Sequence, residues 1–122
     1  EMMAERRHYP KMNGKQVFRW ATEKMPESAH EALRAAGKTL ADVDLFVPHQ
    51  ANLRINEFVA RKLELPMEKV VTTIDRYGNT TAASIPLSLS EAVADGRAKP
   101  GTLVLFAAFG SGYTWGAGVV RL

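Results

Sequence analysis

The sequence predicts an α/β fold in which helices cover a largely parallel or mixed sheet, with that sheet left incomplete inside this chain. Three observations carry the prediction. Apolar residues recur at helical spacing in three stretches. Short runs that are β-branched or continuously apolar lie between and after those stretches. The two kinds alternate as helix, strand, helix, strand, helix, strand, strand, an order that layers helices on a sheet. Four strands make a small sheet whose exposed edge calls for a partner.

The elements follow in order. Residues 1–14 are polar, contain Pro10 and Gly14, and read as loop. Across 15–25, Val17, Phe18, Ala21 and Met25 share one helical face. Pro26 is expected to restart the helix, since proline suits a first helical turn. Ala29, Leu33 and Ala36 then carry the face to Gly37, a residue suited to stop it. "DLFVP" (44–48) reads as a strand closed by proline. Leu53, Ile55, Phe58, Val59 and Leu63 form the stripe of a second helix, stopped before Pro66. "KVVTTI" (69–74) is β-branched and reads as a strand. "RYGNTT" turns into a third helix carrying Ile85, Leu89, Ala92 and Val93, with Pro86 in its first turns and Gly96 closing it. "TLVLFAAF" (102–109) is apolar throughout, as a strand covered on both faces should be. "YTWGAGVV" (113–120) alternates large and small residues and folds back through Gly110-Ser111-Gly112.

Composition narrows the functional classes. At 122 residues the chain is long enough for one domain at most. Hydrophobic content of 46% and charged content of 24% are those of a soluble globular protein. No apolar run reaches the roughly 18 residues of a membrane span, so no membrane partner is expected. The N-terminal stretch has neither an initiating methionine nor the apolar core of a signal peptide, and reads as an interior segment of a longer chain. The absence of cysteine removes disulfides and any thiol nucleophile from this chain. His8, His30 and His49 have no second ligand at metal spacing, so no metal is expected. The net charge of +3 suits a solvated surface, or a basic patch for an acidic partner if the charges cluster. No base-reading motif accompanies it, and no nucleic-acid partner is expected.

Three loops fall at strand ends: Pro48-His49-Gln50, Tyr77-Gly78-Asn79-Thr80 and Phe109-Gly110-Ser111-Gly112. Sites in open α/β sheets gather beyond the carboxyl ends of strands, so the three can converge on one pocket. A neutral imidazole and an amide both offer N–H donors without net charge. Aimed at one carbonyl oxygen, they would stabilise an enolate or a tetrahedral oxyanion. The Gly-Ser-Gly turn can offer backbone N–H groups for a second oxyanion. The same residues also suit a structural histidine, a common turn dipeptide and a hairpin loop, and spacing alone does not choose.

"VPHQANLRI", "DRYGNTTAASIP" and "AAFGSGYTWGAGVVRL", in this order and at these separations, resemble the C-terminal half of β-ketoacyl-[acyl carrier protein] synthase III. This is the condensing enzyme of thiolase fold that starts type II fatty acid synthesis. The resemblance runs from "MNGKQVF" to the final "VVRL" and implies a C-terminal half of a thiolase-like fold across 1–122, with a mixed, mostly parallel sheet flanked by helices. The family works with a cysteine, a histidine and an asparagine; the last two fall on His49 and Asn79. A cysteine takes an acyl group from acyl-CoA. Malonyl-[acyl carrier protein] then loses CO2 while His49 and Asn79 hold the thioester oxygen as an enolate, and the carbanion attacks the acyl-cysteine. Phe109 matches a phenylalanine beside the malonyl carboxylate. Ser111 stands where a backbone N–H completes the acyl-enzyme oxyanion hole; many family members have glycine there.

Further roles come with the resemblance. Met12, Gly14, Phe18, Ala51 and Asn52 match the pantetheine tunnel that receives CoA. For Phe18 and Ala51, helix packing is an equal reading. Arg54 and Arg61 are seven apart and share a helical face; with Lys62 and Arg19 they fall near the tunnel mouth, where the acidic carrier protein docks. His8 and His30 match no family role. No cofactor is implied, since acyl-CoA is a substrate. The implied setting is cytoplasmic, and the intact enzyme a homodimer.

The chain departs from the family in lacking the N-terminal half and its cysteine, so by itself it cannot hold the acyl group. Three readings stand: part of a condensing enzyme whose remainder is supplied elsewhere, a non-catalytic module binding carrier protein or CoA, and a thiolase-fold enzyme of another pathway.

Overall fold

The computed structural model describes residues 3–5 and 9–122; His8 lies outside the described residues. Its elements are α1 (Gly14–Ala35), β1 (Leu45–Pro48), α2 (Leu53–Lys62), α3 (Ile74–Tyr77), α4 (Ser84–Ala94), β2 (Leu103–Gly110) and β3 (Thr114–Arg121). The sheet has three strands in the order β1-β2-β3. β1 runs parallel to β2, from Leu45 opposite Val104 to Pro48 opposite Ala107. β3 returns antiparallel to β2, from Leu103 opposite Arg121 to Gly110 opposite Thr114.

The strict two-residue period of strands divides the sheet's side chains between two faces. Phe46, Leu105, Ala107 and Phe109 pack with Ala21, Met25, Ala29 and Leu33 of α1 and Ile55, Val59 and Leu63 of α2. Leu45, Val47 and Val104 face the other way, against Ala92, Ile85 and Leu89 of α4 and against Val71 and Ala98. Helices on both faces explain why β1 and β2 read as unbroken apolar runs. The helical stripes are narrower than their sequence suggests. Leu53, Phe58 and Val93 are exposed by 39%, 40% and 53%.

Two expectations are corrected. Pro26 does not restart a helix; α1 runs unbroken through it. The flanking turns bond back onto themselves, Thr22 Oγ1 to the Phe18 carbonyl at 2.8 Å and Ser28 Oγ to the Lys24 carbonyl at 2.8 Å. The helix ends where expected: Gly37 takes φ 64°, with Lys38 N–H bonded to Leu33 O at 2.8 Å and Gly37 N–H to Arg34 O at 3.1 Å, a Schellman stop.

Residues 69–74 do not form a fourth strand. They touch the sheet through one bridge, Phe46 with Val70, and the Val71 N–H bond to Phe46 O at 2.9 Å. Val70, Val71 and Thr73 are buried, so the β-branched pattern reported burial. The backbone groups that a ladder would use are taken instead by one side chain, Gln50, and the chain turns into α3 at Ile74.

Candidate active site

The carboxyl ends of β1 and β2 and the loop between α3 and α4 open on one cleft of about 680 Å³. Four of the predicted residues, His49, Asn79, Phe109 and Ser111, line it together, as do Met12 and Ala51.

His49 follows the last residue of β1 and continues the parallel ladder, its N–H bonded to Ala107 O at 2.8 Å. Its ring is half-buried, and its Nδ1 lies 2.5 Å from Ser84 Oγ on α4. Burial holds the imidazole below the ordinary histidine value of 6.5, so the ring is neutral at neutral pH. The backbone beneath it is fixed by Gln50, which is fully buried. The Gln50 amide donates to Pro48 O at 2.9 Å and Val71 O at 3.1 Å. Its Oε1 accepts from Thr73 N–H at 3.0 Å and Ile74 N–H at 3.2 Å. All four hydrogen-bonding positions of that amide are filled, and they tie the end of β1 to the segment that leads to Asn79.

Asn79 sits on an exposed loop. Its Oδ1 accepts from Thr81 N–H at 2.9 Å, an Asx turn that uses the carbonyl end of the amide and leaves its NH2 for the cleft. The loop is shaped by Gly78 at φ 66° and by Thr81 at φ 53°. The first conformation suits glycine; the second strains a β-branched residue. One turn earlier, α3 is clamped to α4: Arg76 meets Glu91 Oε2 at 2.7 Å, and the Tyr77 hydroxyl donates to Glu91 Oε1.

Phe109 is buried and forms an aromatic wall with Trp115, stacked at 6.3 Å between centroids, and Tyr113 at 5.2 Å. Ser111 lies in the turn joining β2 to β3. The wall is apolar, and the imidazole and the amide that share the cleft with it are uncharged; with their N–H groups toward the cleft they would suit a carbonyl oxygen on which negative charge develops.

The remaining predicted residues fall outside the cleft lining. Gly14 is the first residue of α1. Phe18 packs edge-on against Phe58 at 6.0 Å, and Asn52 caps α2, its Oδ1 accepting from Arg54 N–H at 2.9 Å. Arg19, Arg54, Arg61 and Lys62 are exposed on α1 and α2. Among the described residues, no three His, Cys, Asp or Glu side chains gather as a metal site, and no helix is long and apolar enough to cross a membrane.

Sequence reasoning missed the partners of the two donors. Gln50 reads as secondary to His49 and turns out to be the main fastening of the strand end. Ser84 carries no local signal, because it meets His49 only when α4 packs on the sheet. Tyr113 and Trp115 had only a partial signal: a turn at 110–112 would set Tyr113 opposite Phe109, whereas the hairpin turns at 111–113 and sets Trp115 there.

A family model for the C-terminal part of 3-oxoacyl-[acyl-carrier-protein] synthase III matches residues 33–122. The β-ketoacyl-[acyl-carrier-protein] synthase III of Granulibacter bethesdensis is 56% identical over 111 residues, 91% of this chain and 34% of that protein. The Roseiflexus enzyme of the same name is 50% identical over 121 residues, 99% of this chain and 37% of that protein. The crystal structure of β-ketoacyl-[acyl carrier protein] synthase III from Thermus thermophilus superposes with a TM-score of 0.90 at 50% identity, covering 92% of this chain and 35% of that one. The chain thus spans about a third of the length of the curated relatives it matches.

Proposed function

The chain belongs to the 3-oxoacyl-[acyl-carrier-protein] synthase III family, as its C-terminal part, and from that premise we propose that it supplies the enolate-stabilising half of a decarboxylating condensing enzyme. In this reading malonyl-[acyl carrier protein] enters the cleft with its thioester oxygen between the His49 ring N–H and the Asn79 amide. The bond to the carboxylate breaks, CO2 leaves past Phe109, and the electron pair is held as an enolate on that oxygen. The enolate carbon then attacks an acyl-cysteine supplied by the part of the enzyme outside this chain. The thiolate leaves, and the Ser111 backbone N–H steadies the tetrahedral oxyanion. Acyl-CoA is the source of that acyl group, with Met12 and Ala51 at the tunnel. The exposed Arg19, Arg54, Arg61 and Lys62 meet the acidic carrier protein, and the intact enzyme is a cytoplasmic homodimer that needs no cofactor.

The observation that carries this reading is the meeting of His49, Asn79 and Phe109 in one cleft at the ends of β1 and β2. The test begins with denaturing intact-mass analysis of the purified sample, to find whether a cysteine-bearing companion accompanies this chain. The assembled protein is then assayed for condensation of acetyl-CoA with malonyl-[acyl carrier protein]. Activity that disappears in the His49→Ala/Asn79→Ala double variant supports the proposal; activity that survives it is incompatible. A priming β-ketosynthase of a polyketide pathway is 41% identical and superposes with a TM-score of 0.83, so acetyl-CoA is compared with longer primers in the same assay.

A further inference from the structure

His49 has two ring nitrogens, and a neutral imidazole protonates only one of them. Which one decides whether the cleft sees a donor or an acceptor. The neighbour that settles the matter is Ser84, the first residue of α4, which is 1% exposed. Its Oγ lies 2.5 Å from His49 Nδ1 and accepts the Gln50 backbone N–H at 3.2 Å.

A serine hydroxyl has one hydrogen and two lone pairs. One lone pair takes the Gln50 N–H. Among the described residues, the only other hydrogen-bond partner of this hydroxyl is His49 Nδ1. If Nδ1 carried the proton, Ser84 Oγ would accept twice and its own hydrogen would be buried with no acceptor, a costly arrangement. The Nε2 facing the cleft would then be a bare lone pair, repelling the oxygen it is meant to hold. If Ser84 donates to Nδ1 instead, every hydrogen finds a partner and Nε2 carries the proton.

We propose that Ser84 is the positioning residue of this site: its buried hydroxyl donates to His49 Nδ1 and so fixes the Nε2–H tautomer that faces the cleft. The hydroxyl is held in turn from two sides. Gln50 N–H binds it, and one helical turn on, Ser88 Oγ pairs with Thr73 Oγ1 at 2.8 Å, seating α4 on the segment that Gln50 fastens. Depressed basicity of the ring agrees with this arrangement, since a neutral Nδ1 has a lone pair to offer.

The catalytic meaning of the inference rests on the condensing reading, but the tautomer can be measured without substrate. Long-range proton–nitrogen correlation NMR on the chain, with its histidines nitrogen-labelled, reports which ring nitrogen of His49 is protonated at neutral pH; His49→Gln identifies the signal. The Nε2–H form should exceed Nδ1–H by about tenfold or more, the preference expected from one buried unmet donor. In Ser84→Ala the ratio should fall toward that of a free imidazole side chain, and Ser84→Thr should restore it. A wild-type ring that is Nδ1–H or a solution-like mixture overturns the proposal, as does a Ser84→Ala ratio equal to wild type. Should Ser84→Ala fail to fold, the wild-type and Ser84→Thr ratios decide. In the assembled enzyme, Ser84→Ala should lower kcat about tenfold with KM unchanged, whereas a loss shared by Ser84→Thr would mark a packing role. Failure of the tautomer leaves the condensing reading to the His49 and Asn79 variants; failure of that reading leaves the tautomer ratio as measured.

Discussion

The two donors of the cleft are held by opposite means. The strand-end arm, residues 47–50, is buried apart from the His49 ring, continues a parallel ladder and is fastened by the four bonds of the Gln50 amide. The loop arm, residues 78–81, is mostly exposed and is held by short-range bonds, the Asx turn, Gly78 N–H on Ile74 O and Ala83 N–H on Thr80 O, and by two residues at positive φ, Gly78 and Thr81. The strand arm is placed by the same interactions that hold the sheet together, so its geometry fails only when the fold fails. The loop arm is placed by local backbone conformation, so it can be altered while the fold survives.

The largest effects should come from the donors themselves. In the assembled enzyme, His49→Ala and Asn79→Ala should each cut CO2 release from malonyl-[acyl carrier protein] by about 10²- to 10³-fold. If the double variant is no worse than either single one, the two act on one oxygen; multiplied losses would separate them.

Stability should then divide the arms. Gln50→Ala leaves two carbonyls and two N–H groups buried without partners, and should cost about 3 kcal/mol or more in urea unfolding. Asn79→Ala removes one exposed turn bond and should cost about 1 kcal/mol or less. Equal losses would break the comparison.

A smaller effect is expected from pH. Burial lowers the His49 pKa in the folded chain, so between the folded value and the ordinary 6.5 the unfolded chain binds more protons. Stability therefore rises with pH through that window and is lost as pH falls below about 6.5. The difference between wild type and His49→Gln across pH 7 to 5 measures this contribution, and identical pH profiles would refute it.

The smallest effects compare the two non-glycine residues at positive φ. Glu64, at φ 55°, ends α2 far from the donors, with Leu65 N–H on Ala60 O at 2.9 Å. Glu64→Gly should raise stability by about 0.5–1 kcal/mol and leave turnover alone. Thr81→Gly should relieve a similar strain but lower turnover several-fold, because the freed loop no longer holds the Asn79 amide in place. Unchanged turnover would mean that the Thr81 conformation does not serve the site.

Much of this was legible in the sequence, for identifiable reasons. β1 and β2 announce themselves because both faces are covered, and the glycines at 110 and 112 announce a hairpin, which turns one residue later than expected, at 111–113. His49, Phe109 and Ser111 could be grouped because strand ends share one edge of a sheet; Asn79 reaches the same cleft by another route, from the loop after α3. Residues 69–74 misled because valine and threonine report burial as readily as strand pairing; beyond the Val71 N–H, the Val71 carbonyl and the Thr73 and Ile74 N–H groups bond to Gln50, a partner more than twenty positions away. Pro26 misled because helix continuity was decided by the packing of Met25 and Ala29 on the sheet, which local propensity does not contain. Ser84 was invisible for the same reason: its meaning lies in a contact across 35 residues.

The hairpin has one more consequence. β3 pairs with β2 along one side only, and with Gly116 and Gly118 in its middle it offers a low rim of amides and carbonyls along the other. Such a rim is an adhesive surface. A solution of this chain alone should therefore thicken into assemblies as its concentration rises, and a short peptide of strand-forming sequence laid along β3 should keep it dispersed.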